Sequence, residues 1–171
     1  MKEHRLIERM IGVMDFELKK IKKENRADLL FIDEIIDFIK TYADRCHHGK
    51  EEDILFKALA KKNISTEHSR IMDELIQEHK MGRSNVKKLS QAKLEYESAN
   101  TSALRDIISN METLINFYPK HIEKEDKHFF IPCMDYFTGV EKDTMLRQMR
   151  EFDAEMIHEK YTAIVSEHEK T

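Results

Sequence analysis

The fold of this chain is decided by residues 28–61, which read DLLFIDEIIDFIKTYADRCHHGKEEDILFKALAK. Apolar residues recur through this stretch at steps of three and four, the period of one face of an α-helix. They are Ile32, Ile35, Ile36, Ile39, Tyr42, Ala43, Leu55, Phe56 and Leu59. Asp28 precedes them as a helix N-cap residue would, and Asn63 follows them as an end signal. The stretch therefore predicts one long amphipathic helix over about 28–61.

The same period continues on both sides of this stretch and predicts four further helices. They cover about residues 2–23, 66–97, 101–130 and 141–168. Ser65 or Thr66 is expected to cap the third helix, and Pro132 to stop the fourth. Four long helices with short connections predict an all-α, up-down four-helix bundle with an additional C-terminal helix. We expect a single domain over 1–171, with the core bundle at about 2–132.

Composition narrows the class of protein. The 171 residues include only 4 Gly and 2 Pro, too few for a turn-rich β protein. The net charge is −4 with both signs mixed along the chain, so no basic face predicts nucleic-acid binding. No apolar run is long enough to span a membrane, the N-terminal residues do not resemble a signal peptide, and two cysteines make no disulfide framework. These features predict a cytoplasmic protein without membrane partners.

Histidines carry the chemistry of this sequence. His4, His48, His79 and His121 lie on or near the apolar stripes of the first four helices, and carboxylates follow two of them four residues later. Residues four apart share a helix face. An up-down bundle would bring all four imidazoles to one level. Burying such groups unpaired costs roughly 1–3 kcal/mol each, and a metal ion removes that cost. The predicted ligands are His4, His48, Glu52, His79, His121 and Glu125.

The donor count suggests what such a centre would do. Two six-coordinate ions have about twelve positions, and four imidazoles with two bridging carboxylates fill roughly eight of them. The remaining positions would suffice for a bridging oxygen species and two open sites. This arrangement predicts a centre that binds a small molecule.

Four stretches of this chain resemble the hemerythrin-like proteins, also called the His-His-Glu cation-binding domains. They are EHRLIE at 3–8, HHGKEEDILF at 47–56, EHKMGR at 78–83 and HIEKEDKHFFIP at 121–132. The resemblance implies a non-haem di-iron centre with a bridging oxo or hydroxo group, the six predicted residues as ligands, and both glutamates bridging. Members of the family bind or sense O2, handle NO or peroxide, or assist iron–sulfur cluster repair.

The chain departs from the oxygen carriers of this family at one position. Those proteins have a second histidine on the third helix, where this chain has Leu75. Four histidines rather than five leave one more open position, which argues against a plain reversible oxygen carrier. Oxygen carriers also use a carboxylate five residues after the histidine of the fourth helix, here Asp126. The parallel with His48 and Glu52 favours Glu125 instead.

Several alternatives stay open at the level of sequence. His47 with Glu51 is the alternative register to His48 with Glu52. The apolar stripe of the helix permits either register, and the family resemblance selects His48 with Glu52. Residues considered for the surroundings of the metal are Glu8, Tyr118, Asp126 and His128. Glu125-x-x-His128 and Glu155-x-x-His158 match the unit of ferritin-like di-iron proteins.

The function predicted from the sequence is a di-iron protein that binds or senses O2, NO or peroxide. The alternatives are a di-iron oxidoreductase acting on the same molecules, an iron–sulfur repair factor, and a metal store.

Overall fold

A computed structural model describes residues 2–153 and 157–170 of the chain, and in these residues every regular element is helical. We number six helices. They are α1 (Lys2–Glu24), α2 (29–59), α3 (Thr66–Glu97), α4 (101–133), α5 (Gly139–Phe152) and α6 (Ile157–His168). Asp28 caps α2 and Ser65 caps α3, each accepting hydrogen bonds from backbone N–H groups of the first turn. The predicted all-α class is confirmed.

Helix α2 is not α-helical throughout. Its first part, Leu29–Asp37, is α-helical, and the chain then winds as a π-helix over Phe38–His48 and Glu51–Phe56 before a last α-turn at Lys57–Leu59. A π-helix closes its hydrogen bonds at i→i+5, is rare, and is frequent at functional sites. The side chains around His47 and His48 are therefore not spaced as the α-helical period predicts.

Helix α4 changes its winding in the same way at the same level. It opens with a 3₁₀ turn, continues as an α-helix over Leu104–Lys124, widens to a π-turn over Glu125–Phe129 and ends at Cys133. Pro132 does not stop the helix as expected. It lies in the last turn of α4, and the helix ends one residue later at Cys133.

The predicted C-terminal helix at 141–168 is described as two helices, α5 and α6, and residues 154–156 between them lie outside the described residues. Helix α5 begins earlier than expected, at Gly139, because Thr138 and Glu141 form a capping box there. Helix α5 contacts the second π-helical part of α2, Glu51–Phe56. Helix α6 contacts α1 and the first π-helical part of α2, Phe38–His48. Among the described residues, no helix is long and apolar enough to cross a membrane.

The four long helices enclose two apolar clusters. Contacts join α1 to α2, α2 to α3, α3 to α4, and α4 back to α1. The larger cluster includes Met14, Ile35 and Leu114, and the smaller one includes Leu75 and Phe129. Along α3, the buried His79 lies between Leu75 of the smaller cluster and Val86 of the larger. A layer of buried polar side chains therefore separates the two apolar clusters.

Candidate metal centre

Seven buried side chains from all four long helices form this polar layer. One group brings together His48, His79 and His121, and a second brings together His4, His47, Glu51 and Glu125. Within each group, the atoms able to bind a metal all lie within 4.8 Å of one another. None of these side chains is more than 3% exposed. Such a concentration of imidazoles and carboxylates away from water is costly unless a cation binds there.

The two glutamates connect the groups. Glu51 Oε1 lies 3.3 Å from His47 Nε2, and its Oε2 lies 3.4 Å from His79 Nε2. Glu125 Oε2 lies 3.2 Å from His4 Nε2, and its Oε1 lies 3.2 Å from His121 Nε2. Each carboxylate therefore presents one oxygen to the three-histidine position and the other to the two-histidine position. This is the arrangement expected of bridging ligands.

The inward-facing atoms lack hydrogen-bond partners. Among the described residues, seven buried side-chain atoms have none: Nε2 of His48, His79 and His121, and both carboxylate oxygens of Glu51 and Glu125. The inward-facing Nε2 atoms of His4 and His47 are the exception, since they form a hydrogen bond with each other at 3.0 Å. Since buried polar groups in native proteins are normally paired, these converging lone pairs indicate a place for metal ions.

The outward-facing nitrogen of each histidine contacts a carboxylate. In each case Nδ1 is the donor and a carboxylate oxygen is the acceptor. The acceptors are Asp126 for His4 (2.8 Å), Glu3 for His47 (2.7 Å), Glu52 for His79 (2.7 Å), Glu78 for His121 (2.8 Å) and, at a longer distance, Asp44 for His48 (3.4 Å). A proton held on Nδ1 leaves the Nε2 lone pair free for a metal. Carboxylates in this position fix the tautomer and the ring orientation of metal-binding histidines.

The electrostatics show where cationic charge is favoured. Burial opposes the charged form of His79, but Glu125 and Glu51 outweigh it and raise its pKa to about 10. Burial likewise opposes charge on His121, but Glu125 and Glu78 raise its pKa to about 9. Burial would raise the pKa of Glu125, yet His121, His4 and His79 hold it well below its usual value. The metal-free site therefore holds protons where a metal would supply the positive charge.

Five of the six predicted ligands lie in this layer, namely His4, His48, His79, His121 and Glu125. The structure differs from the prediction at Glu52. Its side chain is 30% exposed and lies on the outer side of His79, where its Oε1 accepts from His79 Nδ1 and from Arg83. The inner position is occupied by Glu51. Both residues lie in the π-helical part of α2, Glu51–Phe56, where side chains do not follow the α-helical period.

His47 and Glu51 form the alternative register, which the helical period permits and the family resemblance did not select. Both lie inside the layer, and His48 lies there as well, so two consecutive histidines serve the two groups. The sequence carried a signal for them, because His47 and Glu51 are four residues apart, like His121 and Glu125. The site therefore contains five histidines rather than four. The fifth comes from α2, while Leu75 is buried in the smaller apolar cluster.

The four residues considered for the surroundings of the metal differ in their contacts and in their exposure. Asp126 contacts His4, and Glu8 contacts Arg5, at 2.8 Å. His128 is exposed. Tyr118 is buried, and burial together with the charges of Asp44 and Glu125 raises its pKa. Of these four residues, Asp126 is the one whose described hydrogen bond reaches a histidine of the layer.

The ferritin-like alternative finds little support in the described residues. Glu125 is fully buried whereas His128 is exposed, so they do not face one site. Glu155 lies outside the described residues. His158 lies near Glu3 and Asp153, and the Lys50 ammonium group contacts both of these carboxylates. This outer cluster already contains a cation from the protein itself.

Comparison with known proteins agrees with the geometry. The family model described as the hemerythrin HHE cation binding domain matches residues 1–133, which include all seven side chains of the layer. Neither the curated proteins nor the solved structures gave a match. Since the matched region covers most of the chain and contains the metal-binding constellation, the chain belongs to the hemerythrin HHE family of metal-binding domains.

Proposed function

We propose that this protein holds a non-haem di-iron centre that binds a small molecule such as O2, NO or peroxide. The proposed ligands are His48, His79 and His121 for one ion, His4 and His47 for the other, and Glu51 and Glu125 as bridges. The observation that carries the proposal is the convergence of seven buried, unpartnered nitrogen and oxygen atoms from three helices. Imidazole with carboxylate is a donor set that suits iron.

The contacts between the four long helices support a bundle that shares one metal site. Each of the four long helices contacts the next in sequence, and the last contacts the first. An up-down bundle of sequential helices has these neighbours, and it builds metal sites from side chains of facing helices. We therefore keep the alternating up and down order as part of the proposal.

In the proposed centre, the donor count would leave an open coordination position at one end. Five imidazoles and two bridging carboxylates fill roughly nine of about twelve positions on two six-coordinate ions, so one bridging ligand would leave about one position open. That position falls on the two-histidine side, with His4 and His47. A centre with five histidines would match the histidine count of the family's oxygen carriers, so reversible binding of O2 is among the functions that the proposal includes.

A cavity adjoins the two-histidine side. It has a volume of about 890 Å³ and is lined by His47 and Glu51 together with apolar residues such as Leu6 and Leu55. When bound, the irons would supply reversible redox chemistry and a Lewis-acidic place for a small ligand. The protein's own part is to orient the imidazoles through outer carboxylates, so that each Nε2 faces inward, and to enclose the layer between two apolar clusters.

Metal analysis with optical spectroscopy tests the proposal. We expect about two irons per chain after reconstitution, with near-ultraviolet charge-transfer bands that are lost on reduction. His79→Ala is expected to lose iron, whereas His128→Ala, a change at an exposed histidine outside the layer, should retain it. Absence of iron from the reconstituted wild-type protein, or retention of both ions by His79→Ala, would sink the proposal.

Turnover measurements separate a binding or sensing protein from the alternative, an oxidoreductase. The diferrous protein would be mixed with NO, peroxide or O2, with and without an added reductant. A binding or sensing protein is expected to take up one equivalent and stop. Continued consumption that depends on the reductant would instead establish the enzyme.

A further inference from the structure

The carboxylates that contact the histidines are themselves paired with basic side chains. Arg5 contacts Asp126, Lys50 contacts Glu3, Lys124 contacts Glu78, and Arg83 contacts both Asp44 and Glu52. Every histidine of the layer is therefore followed outward by a carboxylate and then by a cation. The three-histidine position differs from the other, because two of its three histidines share one cation.

Arg83 has the geometry to serve both histidines. Its Nε donates to Asp44 Oδ1 at 2.7 Å, and its Nη2 donates to Glu52 Oε1 at 2.6 Å. Asp44 and Glu52 are the acceptors for Nδ1 of His48 and His79. The two imidazole rings stack with their centroids 3.9 Å apart. One guanidinium group therefore holds the outer partners of a stacked histidine pair.

The planar fork of arginine suits this position. Its N–H groups point in fixed directions and can contact two acceptors at once, whereas a lysine ammonium group acts as a point charge. Its positive charge also reduces the pull of the two carboxylates on the Nδ1 protons. With less pull, the imidazoles donate less electron density to a metal on Nε2. Arg83 thus affects both the orientation of the two rings and their strength as ligands.

We propose that Arg83 is a positioning residue of the three-histidine position, holding Asp44 and Glu52 in place and raising the reduction potential of the metal bound there. The effect on potential rests on the proposed di-iron function, whereas the effect on the rings does not. Arg83 touches neither metal-binding nitrogen and acts only through the two carboxylates.

The first test uses metal-free protein and proton NMR of the imidazole N–H groups. In Arg83→Gln we expect the Nδ1–H signals of His48 and His79 to exchange with water faster, by about tenfold or more, because Asp44 and Glu52 are no longer held against Nδ1. Loss of these acceptors outweighs the stronger pull of a carboxylate without its cation. The signal of His121 should be unchanged because Glu78 keeps Lys124. Arg83→Lys, which keeps the charge without the fork, should fall between. Arg105→Gln is the matched control, since Arg105 is exposed near the opposite end of α4 from His121. Unchanged exchange in Arg83→Gln would overturn the positioning role.

The second test measures the midpoint potential of the iron-loaded protein by spectroelectrochemistry. Arg83→Gln should lower the potential, Arg83→Lys should lower it less, and Arg105→Gln should leave it unchanged. If Arg83→Gln does not retain iron, the lysine variant supplies the comparison. Equal potentials in all variants would overturn the electronic role. Wild-type protein that takes up no iron would refute the di-iron function, while the exchange test on metal-free protein would still decide the positioning role.

Discussion

Glu51 and Glu52 are neighbours in sequence, yet they face opposite nitrogens of the same imidazole. Glu51 Oε2 lies 3.4 Å from His79 Nε2, on the inner side, and Glu52 Oε1 accepts from His79 Nδ1 at 2.7 Å on the outer side. A carboxylate on the inner side can bridge two ions. A carboxylate on the outer side can orient the ring and tune its basicity, but it cannot bind the ions itself. Their roles are therefore distinguishable by substitution.

We expect Glu51→Gln to lose iron and Glu52→Gln to keep it. A side-chain amide at position 51 carries no charge to offset two cations, so iron should fall from about two per chain to one or fewer. The amide oxygen of a glutamine at position 52 can still accept from His79, so affinity should fall by about 10–100-fold at most and saturating iron should still load the site. Iron content by mass spectrometry decides this. The reverse result, with Glu52→Gln losing iron, would restore the ligand set predicted from sequence.

At the scale of elements, the sequence predicted well where the helices are regular. Helix α3 was predicted at about 66–97 and is observed at Thr66–Glu97, because Ser65 is a strong capping residue and the apolar period is unbroken. Glu52 was predicted as an inner ligand because the family resemblance selected the register of His48 and Glu52, whereas the period of the helix permitted either register. Widening of a helix to i→i+5 depends on packing between helices, which periodicity in one sequence does not report.

The cap of α3 provides a test at this scale. Ser65 Oγ accepts from the backbone N–H of His68 at 3.1 Å, so Ser65→Ala should lower the free energy of unfolding by about 1 kcal/mol. Ser65→Asp, which can accept the same hydrogen bond, should restore most of it. The expected change in Tm is roughly 2–4 °C for a protein of this size. Iron content should not change, since Ser65 lies about four helical turns from His79. Thermal denaturation followed by circular dichroism measures both variants, and equal loss in both would refute a capping role.

At the scale of the whole molecule, the polar layer divides the interior into two apolar clusters. Without a metal, its inward-facing atoms are buried and unpartnered, which costs stability. Protons relieve part of this cost, because the neighbouring carboxylates favour the charged forms of His79 and His121. Metal ions bound as proposed would therefore compete with protons for the same nitrogens, and folding would be coupled to whichever is bound.

This competition predicts opposite pH behaviour for the metal-free and iron-loaded proteins. In the metal-free protein, the folded-state pKa values of His79 and His121 are raised to about 10 and about 9. Their unfolded values are about 6.5. A raised pKa contributes stability that is complete below the unfolded value and is lost as pH rises through the folded value. The free energy of unfolding of the metal-free protein should therefore fall by up to about 1.4 kcal/mol per pH unit for each histidine between roughly pH 7 and 9.

In the iron-loaded protein the same nitrogens would bind metal and carry no proton to lose, so its unfolding free energy should stay level or rise over this range. Urea unfolding at a series of pH values, with iron and with a chelator, measures both slopes. A metal-free protein whose stability does not fall with pH would show that these histidines are not held protonated, and parallel slopes in the two forms would show that iron does not occupy their nitrogens.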